Sequence, residues 1–177
     1  MVKRLGKYIT LSLFFFLALI LFMPKSSFYF LAEKEMQKYN LIISNEELNE
    51  KFLTLNIKHL DVSLKGVHSA DIESVDIMFL ALYNSIELHN IKLSSVAKSF
   101  MPTKLEYINI YYTLINPLVI KGEAKGELGS VDMEFDIVHQ TLRVILKPSK
   151  IMLQKYARSL RYFKRNKKGE YVYAKAL

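Results

Sequence analysis

The feature that most constrains this chain is an unbroken apolar run at residues 8–23, YITLSLFFFLALILFM, with Thr10 and Ser12 as its only mild exceptions. As an α-helix the run is roughly 24 Å long, somewhat less than the ~30 Å hydrocarbon core of a bilayer. Snorkelling of Lys7 and Lys25 at its ends would make up the difference. Because an amphipathic helix of a soluble protein does not leave all its sides apolar, the run predicts a transmembrane anchor. Its membrane-embedded residues are Leu13, Phe14, Phe15, Phe16, Leu17, Leu19, Ile20 and Leu21.

The residues that flank this run decide its predicted orientation. Lys3, Arg4 and Lys7 precede it without any acid, so the positive-inside rule places the N-terminus in the cytoplasm. The prediction is a single span in the bacterial inner membrane with the rest of the chain in the periplasm, or in a lumen if the cell is not bacterial. A cleaved signal peptide is the alternative, since it has a similar basic start and apolar centre. Its cleavage site needs small residues at alternate positions, and Phe30 before Ala32 does not meet that need.

Charge and cysteine content limit what the remaining chain can do. The formal net charge is +8, and from residue 147 to the end ten Lys or Arg residues face the single acid Glu170. There is no Cys, which excludes disulfides, thiolate catalysis and cysteine-based metal sites. We expect four segments. They are a cytoplasmic basic N-terminus at 1–7, the anchor at 8–23, a juxtamembrane helix or stalk at 24–40 and a periplasmic β-rich domain at 41–177.

Alternating apolar and polar residues predict that this domain is mainly β. The alternation runs from Leu53 to Ile57 and resumes at Leu60 after a one-residue slip that indicates a bulge. A turn is expected at Asn84-Ser85. Further strands are predicted at residues 72–82, 86–93, 105–114, 118–128, 131–138 and 142–146.

The strand at residues 118–128 has one face almost without side chains. Gly122 and Gly126 stand on that face, and glycine in a strand usually marks the close approach of another group. After the predicted cap residue Ser149, residues 150–164 form a helix with one apolar face, which we expect to lie across both glycines. The predicted fold class is therefore mainly β with a C-terminal α-helix. We expect a single N-terminal transmembrane helix, followed by a curved antiparallel sheet that the C-terminal helix covers.

The sequence carries no signal for catalysis. Its four histidines, at positions 59, 68, 89 and 139, do not come within four residues of one another, so no local metal pair exists. The acids Asp132, Glu134 and Asp136 are explained by alternation on an exposed strand. There is no Gly-x-Ser-x-Gly elbow and no complete phosphate loop. We predict no enzyme activity, no catalytic residue, no cofactor and no metal.

A basic tract near the C-terminus is the one segment with potential for binding. Its positive residues are interleaved with Tyr156, Tyr162 and Phe163. Basic and aromatic side chains together suit an acidic protein surface or anionic lipid, with nucleic acid the least favoured of the three partners. The alternative is a solvated helix face that keeps the chain soluble. The predicted partner-binding residues are Arg158, Arg161, Lys164, Arg165, Lys167 and Lys168.

The order of these features resembles a known family. The N-terminal apolar segment, residues 24–47, the strands, GEAKGELG at 122–129, LKPS at 146–149 and GEYVY at 169–173 together resemble the N protein of bacterial type II secretion systems. The resemblance implies an accessory protein of a secretion or DNA-uptake apparatus, with other proteins of that machinery and the inner membrane as partners. It implies no catalytic residues, and it suggests a distant kinship with repeated-strand lipid-handling proteins.

Two hypotheses of function therefore stand side by side. The first is a membrane-anchored, non-enzymatic interaction module that supports the secretion apparatus. The second is a lipid-binding or lipid-transfer module that uses the apolar face of the curved sheet. The coverage of that face discriminates between them. If the helix at residues 150–164 covers Ile120, Ala124, Met133 and Phe135, no lipid channel remains, whereas an open apolar groove favours the second hypothesis.

Overall fold

The computed structural model describes residues 2–176 except residue 81, and the side chains of residues 2–5 and 20 also lie outside this description. The helices are α1 (Val2–Phe22), α2 (Lys25–Gln37) and α3 (Lys150–Lys155), with short 3-10 helices at Ala97–Ser99 and Ser159–Tyr162. The strands are β1 (Leu41–Ser44), β2 (Glu47–Glu50), β3 (Thr54–Leu64), β4 (Val67–Leu80), β5 (Tyr83–Leu93), β6 (Lys104–Thr113), β7 (Val119–Gly126), β8 (Gly129–Asp136), β9 (Thr141–Pro148), β10 (Lys164–Arg165) and β11 (Tyr171–Ala176).

The strands of the described chain form one antiparallel sheet of eleven members. Its order is β1-β3-β4-β5-β6-β7-β8-β9-β11-β10, and β2 pairs with β3 beside β1. From β3 to β9 each strand pairs with the next one in the chain, so this part is a simple meander. The prediction of a mainly β protein built on an antiparallel sheet is confirmed.

The prediction of a single N-terminal transmembrane helix is wrong. Within the described residues, no helix has the length and apolar character needed to cross a membrane. The apolar run at 8–23 is shorter than the ~30 Å hydrocarbon core, so the predicted span needed the Lys25 side chain to reach the bilayer surface. Instead α1 ends at Phe22, and Lys25 is folded into the protein at 2% exposure, where its Nζ donates to the Met23 carbonyl at 3.2 Å.

The predictions that depended on this span fall with it. The single-pass inner-membrane location with a periplasmic domain is therefore not supported. In α1 the side chain of Leu21 is half-buried, and that of Ile20 lies outside the described residues. The other residues assigned to the anchor are exposed on the helix surface, and they are Leu13, Phe14, Phe15, Phe16, Leu17 and Leu19.

One predicted turn lies inside a strand. Asn84 and Ser85 belong to β5, where they pair with Phe79 and Met78 of β4. The ladder between these two strands continues to the pair Leu80 and Tyr83, so the residues predicted to turn lie within it. Ser85 is 3% exposed, so the short polar side chain that suggested a turn is buried in the sheet.

A line of irregular positions crosses strands β3 to β5. Ile57 and Leu60 of β3 are both buried, and between them His59 has a φ of 56°. Asn90 of β5 has a φ of 51°, and its Nδ2 donates to Glu73 Oε2 of β4 at 2.7 Å. Positive φ is uncommon for residues other than glycine, so these positions mark local breaks in the pleat. The predicted slip in the alternation before Leu60 is present, but the bulge that it indicated is not there, because β3 and β4 keep their register from Lys58 to Leu60 and shift it between Val62 and Ser63.

The C-terminal helix is shorter than the predicted 150–164. Ser149 caps α3 as expected, because its Oγ accepts a hydrogen bond from the Met152 backbone N–H at 3.1 Å. The α-helix ends at Lys155, and the chain continues into the second 3-10 helix. Ser159 Oγ donates to the Phe100 carbonyl at 2.6 Å, which ties this segment to the loop between β5 and β6.

The glycines of β7 face the neighbouring strands. A Cβ built on Gly122 would stand 2.9 Å from Met133 Cε of β8, and one built on Gly126 would stand 2.7 Å from Leu105 Cα of β6. The close approach that the glycines predicted is present, but the expectation that the C-terminal helix causes it is wrong. Adjacent strands of the twisted sheet supply it instead.

Two segments cover separate parts of the apolar inner face of the sheet. The first is α2, whose Tyr29 joins Leu55 and Ile57 in the core. The second is α3 with the following 3-10 helix, whose Met152 and Leu160 are 5% and 4% exposed in the same core. Beyond α2, part of the inner face of β4 to β7 lines an open groove.

Candidate functional site

The main cavity of functional interest is a groove of about 960 Å³ between α2 and the inner face of the sheet. This volume is at the upper end of the range for small-molecule sites, roughly 300–1,000 Å³. Its lining is almost wholly apolar and comes from α2, from β1 and from β3 to β7. Apolar surface left open on this scale commonly marks a binding site.

Isoleucine side chains form the floor of the groove. Ile77, Ile86 and Ile110 stand directly opposite one another on β4, β5 and β6, and Ile120 of β7 continues the floor. They share one face because side chains alternate along a strand. Ile86 and Ile110 are 42% and 37% exposed, which is high for residues in central strands of a sheet. The floor is therefore accessible from the solvent side.

One face of α2 forms the wall of the groove. Phe28, Ala32 and Met36 recur every four residues, so they lie on one side of the helix, and all three line the groove. The Phe28 ring lies 6.2 Å from the Phe79 ring of β4, centroid to centroid. The wall and the floor thus meet at the first turn of α2.

A carboxylate from β2 holds the start of the wall in place. Glu50 accepts hydrogen bonds from the backbone N–H groups of Lys25 and Ser26, at 3.0 and 3.2 Å, and from Ser26 Oγ at 2.6 Å. The preceding residue, Pro24, offers no side-chain cap, so this contact from another element replaces the local one. The Ser26 hydroxyl and the two N–H groups lower the pKa of Glu50. A negative charge at a helix N-terminus is also favoured by the helix dipole.

Tyr29 lies at the junction of the wall and the core. Its side chain is 5% exposed, and its hydroxyl has no hydrogen-bond partner within the described part of the chain. Burial, together with the nearby charges of Glu46 and Glu33, raises the pKa of Tyr29 above its ordinary value of 10.0. The hydroxyl therefore stays protonated at neutral pH, and packing of the ring rather than a hydrogen bond holds this side chain.

The C-terminal segment does not cover the groove, although the sequence predicted a helix there that could do so. Ala124 is buried, but Ile120, Met133 and Phe135 are only half-buried, and Ile120 lines the groove. No residue of α3 or of the second 3-10 helix lines it. The inner face is therefore not sealed by the C-terminal segment, which is the arrangement that favours the lipid-binding hypothesis.

The basic residues singled out from the sequence lie elsewhere. Lys164 and Arg165 form β10 at the edge of the sheet, and Arg161 contacts its neighbour Tyr162, with Nη2 donating to the phenol oxygen at 2.8 Å. None of the tract lines the groove. All six residues are exposed, and they are Arg158, Arg161, Lys164, Arg165, Lys167 and Lys168. The structure does not bring them together with the groove into one site.

The histidines and acids of the described residues do not form a metal-binding cluster. Within the residues described, no group of three His, Asp or Glu side chains is arranged to hold a metal ion. Three histidines lie beside a single acid, as for His139 Nδ1 at 2.9 Å from Asp136 Oδ2, whereas His89 Nε2 lies 3.9 Å from Asp76 Oδ2 and 4.0 Å from Glu87 Oε2. The pKa of Asp136 is lowered mainly by hydrogen bonds from the His139 backbone and ring.

No family model, no curated protein and no solved structure matches this chain. The resemblance to the N protein of type II secretion systems, and with it the accessory role in a secretion apparatus, stays a prediction from the sequence. The geometry of the groove is the basis for an assignment of function.

The sequence reasoning identified the apolar strand faces but not the residues that make the groove. The predicted juxtamembrane helix at residues 24–40 contains Phe28 and Met36, and the predicted strand at residues 72–82 contains Phe79. The signal that pointed to them was the apolar spacing of α2, which left open what the helix would pack against. Contacts with β1, β2 and β3 answer that question.

Proposed function

We propose that this protein is a lipid-binding module that holds the acyl chain of an amphiphile in the groove between α2 and the sheet. The observation that supports the proposal is the open apolar floor of Ile77, Ile86, Ile110 and Ile120 facing the apolar side of α2. A polar ligand would lose its hydrogen bonds to water there without replacement. An acyl chain loses none, and each methylene buried contributes about 0.8 kcal/mol.

The dimensions of the groove suit a flexible chain better than a compact ring. Its lining runs from Phe28 to Met36 on α2, about 12 Å along the helix axis. Across the sheet it extends from β3 to β7, four strand spacings or about 19 Å. A chain with many rotatable bonds can follow such an extended apolar surface.

Polar groups are few along the lining. Glu35 and Asn84 are among them, and Glu35 is engaged with Lys38, whose Nζ lies 2.6 Å from its carboxylate. The groove therefore offers recognition of the acyl chain rather than of a particular head group. We expect the head group to stay at the edge of the groove, in water.

The proposal is tested by placing a charge on the floor. In Ile110→Glu a carboxylate would have to be desolvated when an acyl chain enters, so we expect binding of cis-parinaric acid to weaken at least tenfold. The matched control is Ile151→Glu, because Ile151 is 40% exposed on α3 and lies outside the groove. Binding is measured by the fluorescence of the probe, with the full chain in detergent-free buffer so that no micelle competes.

The two variants separate the possible results. Weaker binding in Ile110→Glu with unchanged binding in Ile151→Glu supports the groove as the site, provided both variants keep the wild-type circular dichroism spectrum. Wild-type affinity in Ile110→Glu contradicts the proposal. So does the absence of saturable binding by the wild-type chain.

A further inference from the structure

The loops at one end of the sheet are apolar and exposed. They connect β2 to β3, β4 to β5, β6 to β7 and β8 to β9, and the antiparallel order brings all four to the same end. Ile115 is 97% exposed, and the other members are between about half and two-thirds exposed. We call this set the apolar rim, and it consists of Phe52, Leu82, Leu114, Ile115, Leu118 and Val138.

Backbone hydrogen bonds join the loops of the rim into one edge. The Leu114 N–H donates to the Leu82 carbonyl at 3.1 Å, and the Ile137 N–H donates to the Leu118 carbonyl at 2.9 Å. The loop before β3 is joined in the same way, since its Leu53 carbonyl accepts from the Phe79 N–H at 3.3 Å. The exposed apolar side chains therefore stand on a connected backbone and not on separate flaps.

Charge distinguishes the rim from the opposite end of the sheet. The loops at residues 51–53, 114–118 and 137–140, together with Leu82, contain a single Lys and no Arg, Asp or Glu. The loops at the other end carry charged residues such as Lys65, Lys98 and Glu127. Exposed apolar side chains without interspersed charge favour a partner that is itself apolar.

The groove reaches the rim. Phe79 and Asn84 line the groove and flank the loop of Leu82, while Tyr112 and Ile120 line it and flank the loop of Ile115. The start of α2 lies at the same end, because its N-terminal N–H groups bind Glu50, one residue before the first rim loop. An acyl chain in the groove can thus leave through the rim without crossing a polar surface.

We infer that the apolar rim docks on a lipid surface and is the route by which an acyl chain passes between that surface and the groove. This inference rests on the proposed function, because the groove's ligand is what makes a lipid surface the expected partner. Apolar side chains at such a surface are buried about 5–10 Å deep, at the boundary of head groups and acyl chains. A protein partner or a second copy of the chain is the competing occupant.

The docking is tested without reference to acyl-chain binding. Since the chain has no Cys, a single environment-sensitive fluorophore can be attached to Ile115→Cys on the rim or to Val67→Cys at the opposite end. With phosphatidylcholine vesicles we expect the rim label to shift to the blue and to be quenched by spin-labelled lipid, and the Val67→Cys label to show neither change. Equal responses from both labels, or a rim response that follows protein concentration without vesicles, overturn the inference.

The route is tested by the rate of uptake. We expect the double variant Ile115→Asp, Val138→Asp to take up cis-parinaric acid from vesicles at least fivefold more slowly, while its affinity for the acid in vesicle-free buffer stays at the wild-type level. The control is Val67→Asp, Val96→Asp, which places two charges at the opposite end. A wild-type rate of uptake in the rim variant overturns the route and leaves the groove intact. Absence of saturable binding of cis-parinaric acid by the wild-type protein in vesicle-free buffer contradicts the proposed function, whereas the labels report on the rim separately.

Discussion

At the scale of single residues, side chains around the groove are fixed by packing more than by polar contacts. Tyr29 is the clearest case, because its ring is buried in the core while its hydroxyl finds no partner in the described chain. Leaving a buried polar group unpaired costs roughly 1–3 kcal/mol. The ring must therefore contribute more through burial than its hydroxyl costs.

This balance predicts opposite effects for two substitutions at Tyr29. Tyr29→Phe removes the unpaired hydroxyl and should leave the free energy of unfolding unchanged or raise it by about 1 kcal/mol. Tyr29→Ala should lower it by about 3–5 kcal/mol, as for other large aromatic residues in cores. Urea denaturation measures both, with Tyr39→Phe, at a 71% exposed site, as a control expected to change nothing. A clear loss of stability in Tyr29→Phe would show that the hydroxyl has a partner after all.

At the scale of elements, the position of α2 decides whether a groove exists. The helix is fixed at its start by Glu50 of β2 and along its length by contacts with β1, β2 and β3. Its end is tied to the turn after β3, where the Lys65 N–H donates to the Asn40 carbonyl at 2.7 Å. These ties hold the wall over the sheet edge and leave the isoleucine floor uncovered.

The contact of Glu50 predicts a pH-dependent stability. Folding lowers the pKa of Glu50 from its ordinary value of 4.5, so its stabilisation is present above that pH and is lost as the pH falls through the folded value. Glu50→Gln should therefore cost about 1 kcal/mol or less at pH 7, since the site is exposed and screened, and the difference from wild type should vanish in acid.

The measurement is thermal unfolding of both proteins at several pH values. Asp136 and Glu170 also have lowered pKa values, mainly through hydrogen bonds from His139 and Asn166, so only the difference between wild type and variant isolates Glu50. Glu47→Gln on the same strand is the control. A difference at pH 7 that persists unchanged in acid would rule out a charge-dependent cap.

At the scale of the whole molecule, the fold is a bent sheet whose inner face is only partly used as a core. The helix α2 and the C-terminal segment each cover a part of that face. The middle part lies between them with its isoleucines open to the groove. A ligand in the groove would complete the core, so it should stabilise the entire domain.

This completion predicts a rise in the melting temperature with ligand. At a free concentration of cis-parinaric acid about 100 times Kd, the native state gains about 2.7 kcal/mol. For a chain of this size that corresponds to a rise in Tm of roughly 5–10 °C. Differential scanning fluorimetry checks it, with Ile110→Glu expected to show at most about half of the wild-type shift at the same concentration, since tenfold weaker binding leaves about 1.4 kcal/mol. An equal shift in wild type and variant would mean that the acid acts elsewhere on the chain.

The sequence by itself determined the local features of this protein. Alternation of apolar and polar residues indicated most of the strands, because a strand with one buried face must repeat every two residues. It also indicated the slip before Leu60 and the cap at Ser149, since both follow from local backbone chemistry. The membrane span predicted for residues 8–23 was wrong because it needed Lys25 at the bilayer surface. Contacts with residues distant in the sequence, such as Glu50, bury Lys25 instead.

Only the tertiary structure decided where the helices lie on the sheet, and therefore whether a site exists. The spacing of Phe28, Ala32 and Met36 defines an apolar helix face but not its partner. The cap that fixes this helix comes from Glu50, 25 residues from Lys25 in the chain. Because the hydrophobic effect is non-directional, a longer C-terminal helix could have covered the same strand faces. Long-range contacts that no local pattern encodes left the groove open.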